Sequence, residues 1–367
     1  MNNDVVNVRQ FMQLVALFTI GSSILFIPLS SASSAKQDSW MAILAGMAVT
    51  LGLVWLYVRL ARQAPGCTLV EMNRKWLGKW LGSIVSLLYI ATTLFLGAPS
   101  LLFYMGEFMA TQIMTQTPMP VLNALFMLVV VMGLKLGLGT LARAAEVLFP
   151  IFAALFVALA LLASPEIKPE HLQPAFAIGA KPFLRAVVDY VGFSGMPLVF
   201  ILMLHPSVVG DTPKAEKAFF LGSVIGGAFL LVITMVCISV LGVENTVQQA
   251  YPSYALAKKI NVGNILSRME VFMATLWIIS LYFKMILYSY AGLRGIAQLL
   301  RIGNERLLVL PLGATMVVLS LIMYPDTAYR DWWDSKIWPT YIATFGFLIP
   351  VVLLLVAKLR GKGRASA

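Results

Sequence analysis

Gly21-Ser22-Ser23-Ile24-Leu25-Phe26-Ile27-Pro28 and Gly192-Phe193-Ser194-Gly195-Met196-Pro197 are the two stretches that decide the fold. Each interrupts a long apolar run with residues that weaken a helix: glycine withdraws side-chain support and proline withdraws a backbone donor. Measured from the run starts at Phe11 and Phe183, the two interruptions begin at nearly the same depth. At about 1.5 Å of rise per residue, both fall near the middle of a bilayer. Backbone freed in hydrocarbon is tolerable only where protein or a lined cavity satisfies it.

The solvent around these runs is lipid. Of 367 residues 60% are hydrophobic and 12% charged, with a mean hydropathy of +0.86, more apolar surface than one soluble core can hide. Apolar runs at residues 11–30, 40–59, 84–111, 121–138, 144–163, 183–204, 218–241, 269–293, 307–323 and 338–357 are each near the ~20 residues that cross a bilayer. None shows the strict alternation of barrel strands. Run one is followed by Ser30-Ser31-Ala32-Ser33-Ser34-Ala35, which looks like a signal-peptide cleavage region. The preceding segment is poorly basic, with Arg9 offset by Asp4, so run one reads as a retained first helix.

The expected fold is an all-α integral membrane protein of ten transmembrane helices, a 5+5 inverted repeat in which helices 1 and 6 are broken. The chain reads as one membrane domain, with repeats at residues 11–163 and 183–358 and a basic tail at 359–367. Two connecting segments support the repeat. Residues 68–81, with Trp76 and Trp80 four apart, and residues 251–260 both read as short helices after the second run of their half.

The net charge of +11 resides in short segments between runs, as topology signals do, and not in a nucleic-acid-binding patch. Placing the termini in the cytoplasm gives the inner segments more bases, among them Arg59, Arg62, Arg74, Lys75, Lys79 and the C-terminal Lys358, Arg360, Lys362 and Arg364. Trp332, Trp333 and Trp338 then fall in an outer aromatic belt. Cys67 and Cys237 form no metal spacing or disulfide framework. His171 and His205 belong to no catalytic cluster, and neither a phosphate loop nor a nucleophile elbow occurs, so neither enzyme nor cofactor is indicated.

Matched breaks in two halves are the best sequence pointer to a transporter-like site. The site read from them comprises Gly21, Ser22, Ser23 and Ile24 in run one, with Gly192, Phe193, Ser194 and Gly195 in run six. The half-helix after each break presents unpaired N–H groups and a positive dipole end, suited to a carboxylate. Unwound carbonyls around Phe193 and Ser194 suit an ammonium, so a zwitterionic amino acid matches both. The other explanation for either break alone is close packing by small residues.

Lys284 stands ten residues before Arg294, roughly 15 Å from the inner surface by helical rise. A lysine so deep costs at least about 2.5 kcal/mol and is a functional candidate, placed against the helix 1 break with its ammonium replacing a coupling cation. A structural ion pair or snorkelling is the alternative. Tyr288 shares its helical face, and Tyr104 in run three offers a second ring and hydroxyl. Glu107 and Asp189 lie near the outer ends of runs three and six, either guarding a vestibule or merely solvated. Glu146 is read as opening helix 5 at the inner surface.

With those residues in view, the chain resembles a known family. The stretch 21–28 is similar to the helix 1 motif of the endospore germination permeases, the B subunits of spore nutrient receptors, within the amino acid–polyamine–organocation superfamily. His171-Leu172-Gln173-Pro174 through Gly179 and Lys181-Pro182 resembles that family's loop before helix 6, and Phe283-Lys284 through Tyr288 fits its helix 8. The resemblance implies a receptor subunit in the spore inner membrane that senses nutrients such as amino acids, beside a larger A subunit and a lipoprotein C subunit. Its ligand site would use both breaks, Tyr104, Lys284 and Tyr288. The helix 6 break holds no acidic residue, which does not support a basic ligand. An amino acid permease, proton-coupled or sodium-independent, is the alternative function.

Overall fold

The computed structural model describes residues 5–208, 212–260 and 268–364. Among them every regular element is helical, apart from an isolated β-bridge between Val6 and Val208. Eight helical stretches are long and apolar enough to cross a bilayer. One of these, Ser23–Gln63, turns at Lys36–Asp38 and so contains both the second half of span 1, Ser23–Ala35, and span 2, Ser39–Gln63. The shorter apolar helices Val8–Ile20, the first half of span 1, and Arg306–Ile322, span 9, complete ten. The others are span 3 (Lys79–Ile113), span 4 (Met119–Leu136), span 5 (Leu138–Ala163), span 6 (Ala180–Met203), span 7 (Thr212–Leu241), span 8 (Glu270–Leu300) and span 10 (Thr327–Arg360).

The first half of span 1 packs along span 7, and the first half of span 6 packs along span 2. These are the same relation with the halves exchanged, as an inverted repeat requires. Of the apolar window in span 6, 83% is buried against 22% in span 5, which places span 6 in the centre and gives span 5 largely to lipid. The loop before span 6 is pinned from the turn after span 1. The buried Asp38 carboxylate accepts N–H groups from Phe176, Ala177 and Ile178 at 2.9, 2.9 and 3.1 Å.

Local sequence explains the helix ends. Asn7 and Gln10 form a reciprocal capping box that starts span 1. Thr68 and Glu71 form another that starts the amphipathic helix Leu69–Leu77. That helix stops at Gly78, whose φ of 88° is costly for any other residue, so Trp80 belongs to span 3 and does not share a helix with Trp76. The second connecting helix runs Pro252–Lys259, after a short Val243–Gln248 turn of helix.

Three expectations are corrected. Spans 4 and 5 are joined by Gly137 alone, so span 5 begins at Leu138, and Glu146 lies two turns inside it as the acceptor of the Gln10 amide at 3.0 Å. Span 10 starts at Thr327, eleven residues earlier than its apolar run, because the polar face of residues 327–336 turns to a vestibule and to other side chains. Span 6 does not resume as an α-helix after its break. It widens to a π turn at Val191–Gly195 and continues as 3-10 helix over Met196–Met203. Pro197, one residue into that segment, cannot donate the bond that would restore α register.

Candidate functional site

The two breaks touch. Span 1 is interrupted at Gly21 and Ser22, with Gly21 at φ 33°, and the Ser194 hydroxyl of span 6 donates to the Ser23 hydroxyl at 2.8 Å. The carbonyls released by the breaks are taken by donors from other helices. The Gly21 carbonyl accepts from Ser280 on span 8 at 2.9 Å, and Ile24 from Ser253 on the connecting helix at 2.6 Å. In span 6, Gly192 accepts from the Trp338 indole at 3.1 Å, and Phe193 from the Lys284 ammonium at 2.8 Å. Each bond offsets a desolvation cost of about 1–3 kcal/mol for a buried carbonyl left alone.

Lys284 lies against the helix 1 break. A β-carbon at Gly21 would overlap its stem, falling 2.9 Å from the Lys284 Cβ. The ammonium also lies 5.7 Å from the centre of the Phe18 ring. Lys284 is buried, and among the described residues it has no carboxylate partner. An unpaired lysine in the interior is expensive, so a snorkelling or ion-paired role does not describe it.

A chamber of about 30 Å³ opens between the breaks, and Ser22, Tyr104, Phe193, Lys284 and Tyr288 line it. Gly97, Ser100 and Leu101 of span 3, Tyr324 before span 10, and Asp334 and Trp338 of span 10 complete its wall. The Tyr104 hydroxyl bonds Asp334, 2.7 Å from either carboxylate oxygen, and lies 3.5 Å from the Tyr324 hydroxyl, which meets Ser100 at 3.0 Å. Tyr288 is fixed between Phe18 and Phe200, with ring centroids 5.2 and 5.3 Å away.

Above the chamber, on the face opposite the termini, lies a vestibule of about 610 Å³. Phe193 and Asp334 line both spaces and form the neck between them. Asp189 sits in the vestibule wall, paired with Arg185 at 3.1 Å. Glu107 instead bonds Arg330 at the root of span 10 and accepts from Tyr251 at 3.3 Å. On the terminal face Arg62 of span 2 pairs with Glu216 of span 7, Nε to Oε1 at 2.6 Å with a second nitrogen on the other oxygen. His205 lies beside this pair. Burial holds its pKa below the usual imidazole value, and the Glu216 charge opposes that only in part.

Of the residues read from the breaks, Ser22 and Phe193 reach the chamber. Gly21, Ser23, Ile24, Gly192, Ser194 and Gly195 build the breaks behind its wall, Gly195 giving Thr50 room to approach. Tyr104, Lys284 and Tyr288 stand in the wall. The carbonyl of Phe193, read as free for an ammonium ligand, already accepts from the Lys284 ammonium. Trp338, read as an interfacial belt residue, is buried with its indole bonded inward. Asp334 escaped sequence reading because it precedes the apolar run. The signal was an acid one helical turn before Trp338 and next to Trp333, where a helix could continue upstream. Among the described residues no three His, Cys, Asp or Glu side chains gather as a metal site.

These features define a multi-pass membrane protein of transporter fold, with two broken helices enclosing a chamber. The solved structure of Mhp1, a nucleobase-cation-symport-1 family transporter in a closed conformation with bromovinylhydantoin bound, superposes with a TM-score of 0.73. The match covers 95% of this chain and 77% of that one at 14% identity, which shows shared fold alone. Residues 5–328 match the family of spore germination proteins, and the chain belongs to that family. Spore germination protein KB of Bacillus subtilis (strain 168) is 31% identical over 369 residues, covering 99% of this chain and 97% of that protein. Spore germination protein YndE of the same strain is 26% identical, covering 94% of each.

Proposed function

We propose that this chain is the membrane subunit of a nutrient germinant receptor. It binds a small amino acid in the chamber between spans 1 and 6 and signals spore germination through partner subunits. The observation that carries the reading is the chamber itself. Two breaks meet at 2.8 Å and face a buried, unpaired Lys284, an arrangement that packing alone does not need. Membership of the spore germination family supports the spore inner membrane as the setting, and the proposed partners are an A subunit and a lipoprotein C subunit. The Gly21 N–H is spent on the Leu17 carbonyl at 2.8 Å, so Gly21 makes the turn, and Ser22, Ser23 and Ile24 after it offer the N–H groups at the start of the half-helix Ser23–Ala35 to a carboxylate. Lys284 takes the place of a coupling cation. The termini lie in the cytoplasm, so the vestibule faces outward, and residues 11–163 and 183–358 form the two repeats.

Binding acts as a signal only if the ligand favours one arrangement of the bundle over another. The open vestibule and the paired Arg62–Glu216 face define one such arrangement, closed toward the termini. The transporter fold favours a second reading, an amino acid permease. Thermal stabilisation of the purified protein by a panel of amino acids and sugars tests the first claim, and stabilisation by sugars alone would overturn it. Accumulation of labelled amino acid in proteoliposomes holding this chain alone would favour the permease.

A further inference from the structure

The chamber is lined by one buried cation, Lys284, and one carboxylate, Asp334, on which the Arg330 charge acts only from beyond ion-pair distance. Lys284 donates to the Phe193 carbonyl, and Asp334 accepts from the Tyr104 hydroxyl. Among the described residues neither belongs to an ion pair. Of the bases near Asp334, Arg330 is engaged with Glu107 and Asp331, and Arg185 with Asp189 and the Ser335 carbonyl, while Lys336 lines the vestibule and forms no ion pair with Asp334. A carboxylate has about four acceptor sites, and the Tyr104 proton fills one. Asp334 sits in the π turn Trp333–Ile337, an irregularity common at functional sites.

We infer that Asp334, positioned by Tyr104, receives the ammonium group of an α-amino acid ligand at the neck of the chamber. The amino acid's carboxylate then points toward Lys284 and the start of the half-helix beyond Ser22. This rests on the chamber being the ligand site. The orientation follows from charge: the Lys284 ammonium on the Phe193 carbonyl repels a second cation there, whereas Asp334 is an anion that faces both chamber and vestibule. It also fixes the ligand class. A plain amine leaves Lys284 uncompensated, a plain carboxylic acid leaves Asp334 uncompensated, and a neutral amino acid answers both. At about 30 Å³ the chamber has room for only a few waters, so an amino acid must widen it, and the smallest side chains need the least widening.

The test is thermal stabilisation of the purified full chain by alanine, serine and valine, each beside its N-acetyl derivative and its decarboxylated amine. At least one free amino acid is expected to stabilise the wild type, with the N-acetyl form weaker by about tenfold or more, the usual worth of a charged hydrogen bond. Asp334→Asn should weaken binding of the free amino acid by a similar factor. Equal affinity for free and N-acetylated forms in the wild type overturns the inference while leaving the chamber as the site. Unchanged affinity in Asp334→Asn does the same. Should that variant fail to accumulate, the wild-type comparison decides alone. No stabilisation by any of the three amino acids overturns this inference and the amino acid reading together.

Discussion

Ser194 donates its hydroxyl to Ser23 at 2.8 Å, so the break in span 6 and the break in span 1 are joined by a single hydrogen bond between short side chains. Neither side chain lines the chamber, yet the bond sets the distance between the two broken segments. Replacing Ser194 by Ala removes the donor and leaves the Ser23 hydroxyl with one partner fewer. The expected cost is about 1–2 kcal/mol in stability, with a larger proportional loss of ligand affinity. Thermal melts with and without ligand check both.

Gly21→Ala should be worse. It combines a φ of 33° with a β-carbon driven into the stem of Lys284, and each element alone costs about 1–3 kcal/mol. Shortening the stem in Gly21→Ala/Lys284→Ala should recover part of the packing penalty and none of the backbone strain. A double-mutant cycle in thermal stability measures that coupling.

Lys284→Met keeps the stem and removes the charge. An uncompensated charge is costly to bury, so the variant should accumulate normally and melt near the wild type or above it. Ligand-induced stabilisation should disappear. A wild-type response in Lys284→Met would reduce the lysine to a spacer.

Closure of the terminal face should depend on Arg62 and Glu216. In Glu216→Gln, a cysteine at Ser22 should react several-fold faster with a membrane-impermeant thiol reagent added from the terminal side. The exchange Arg62→Glu/Glu216→Arg should restore protection. Unchanged reactivity in Glu216→Gln would mean that packing alone closes this face.

His205 carries the pH dependence of the same region. Burial depresses its folded pKa, so its contribution to stability is retained above the unfolded value of about 6.5 and is lost as pH falls through the folded value. Melting temperature should drop on acidification below about pH 6.5 more steeply in the wild type than in His205→Gln. Parallel curves would exclude the histidine.

Much of the architecture was legible because hydrocarbon enforces it. Apolar runs of fixed length must be spans, and matched Gly-Ser and Gly-Pro interruptions must be sheltered by protein. Lys284 stood out for the same reason. Residues whose role depends on pairing across the bundle could not be read this way. Asp334 sits in a polar stretch that sequence assigns to a loop, and only the upstream extension of span 10 brings it to Tyr104, 230 positions away. Trp338 was misplaced because an indole at a run's edge is equally at home in an interface or against a bare carbonyl. The π and 3-10 segments left no trace in hydrophobic periodicity, since a turn one residue wide or narrow keeps the same apolar composition.

Those irregular turns are tied together by tyrosines. The Tyr57 hydroxyl of span 2, with a single proton to give, lies between the carbonyls of Gly346 in span 10 and Met196 in span 6, at 2.6 and 3.1 Å, and Tyr89 of span 3 gives its own to Phe345 at 2.7 Å. Two tyrosines thus tie spans 2 and 3 to the irregular turns of spans 6 and 10, and straightening either turn strands a hydroxyl on its neighbour. Rearrangement of this bundle must therefore be collective, with spans 2, 3, 6 and 10 exchanging partners in one step.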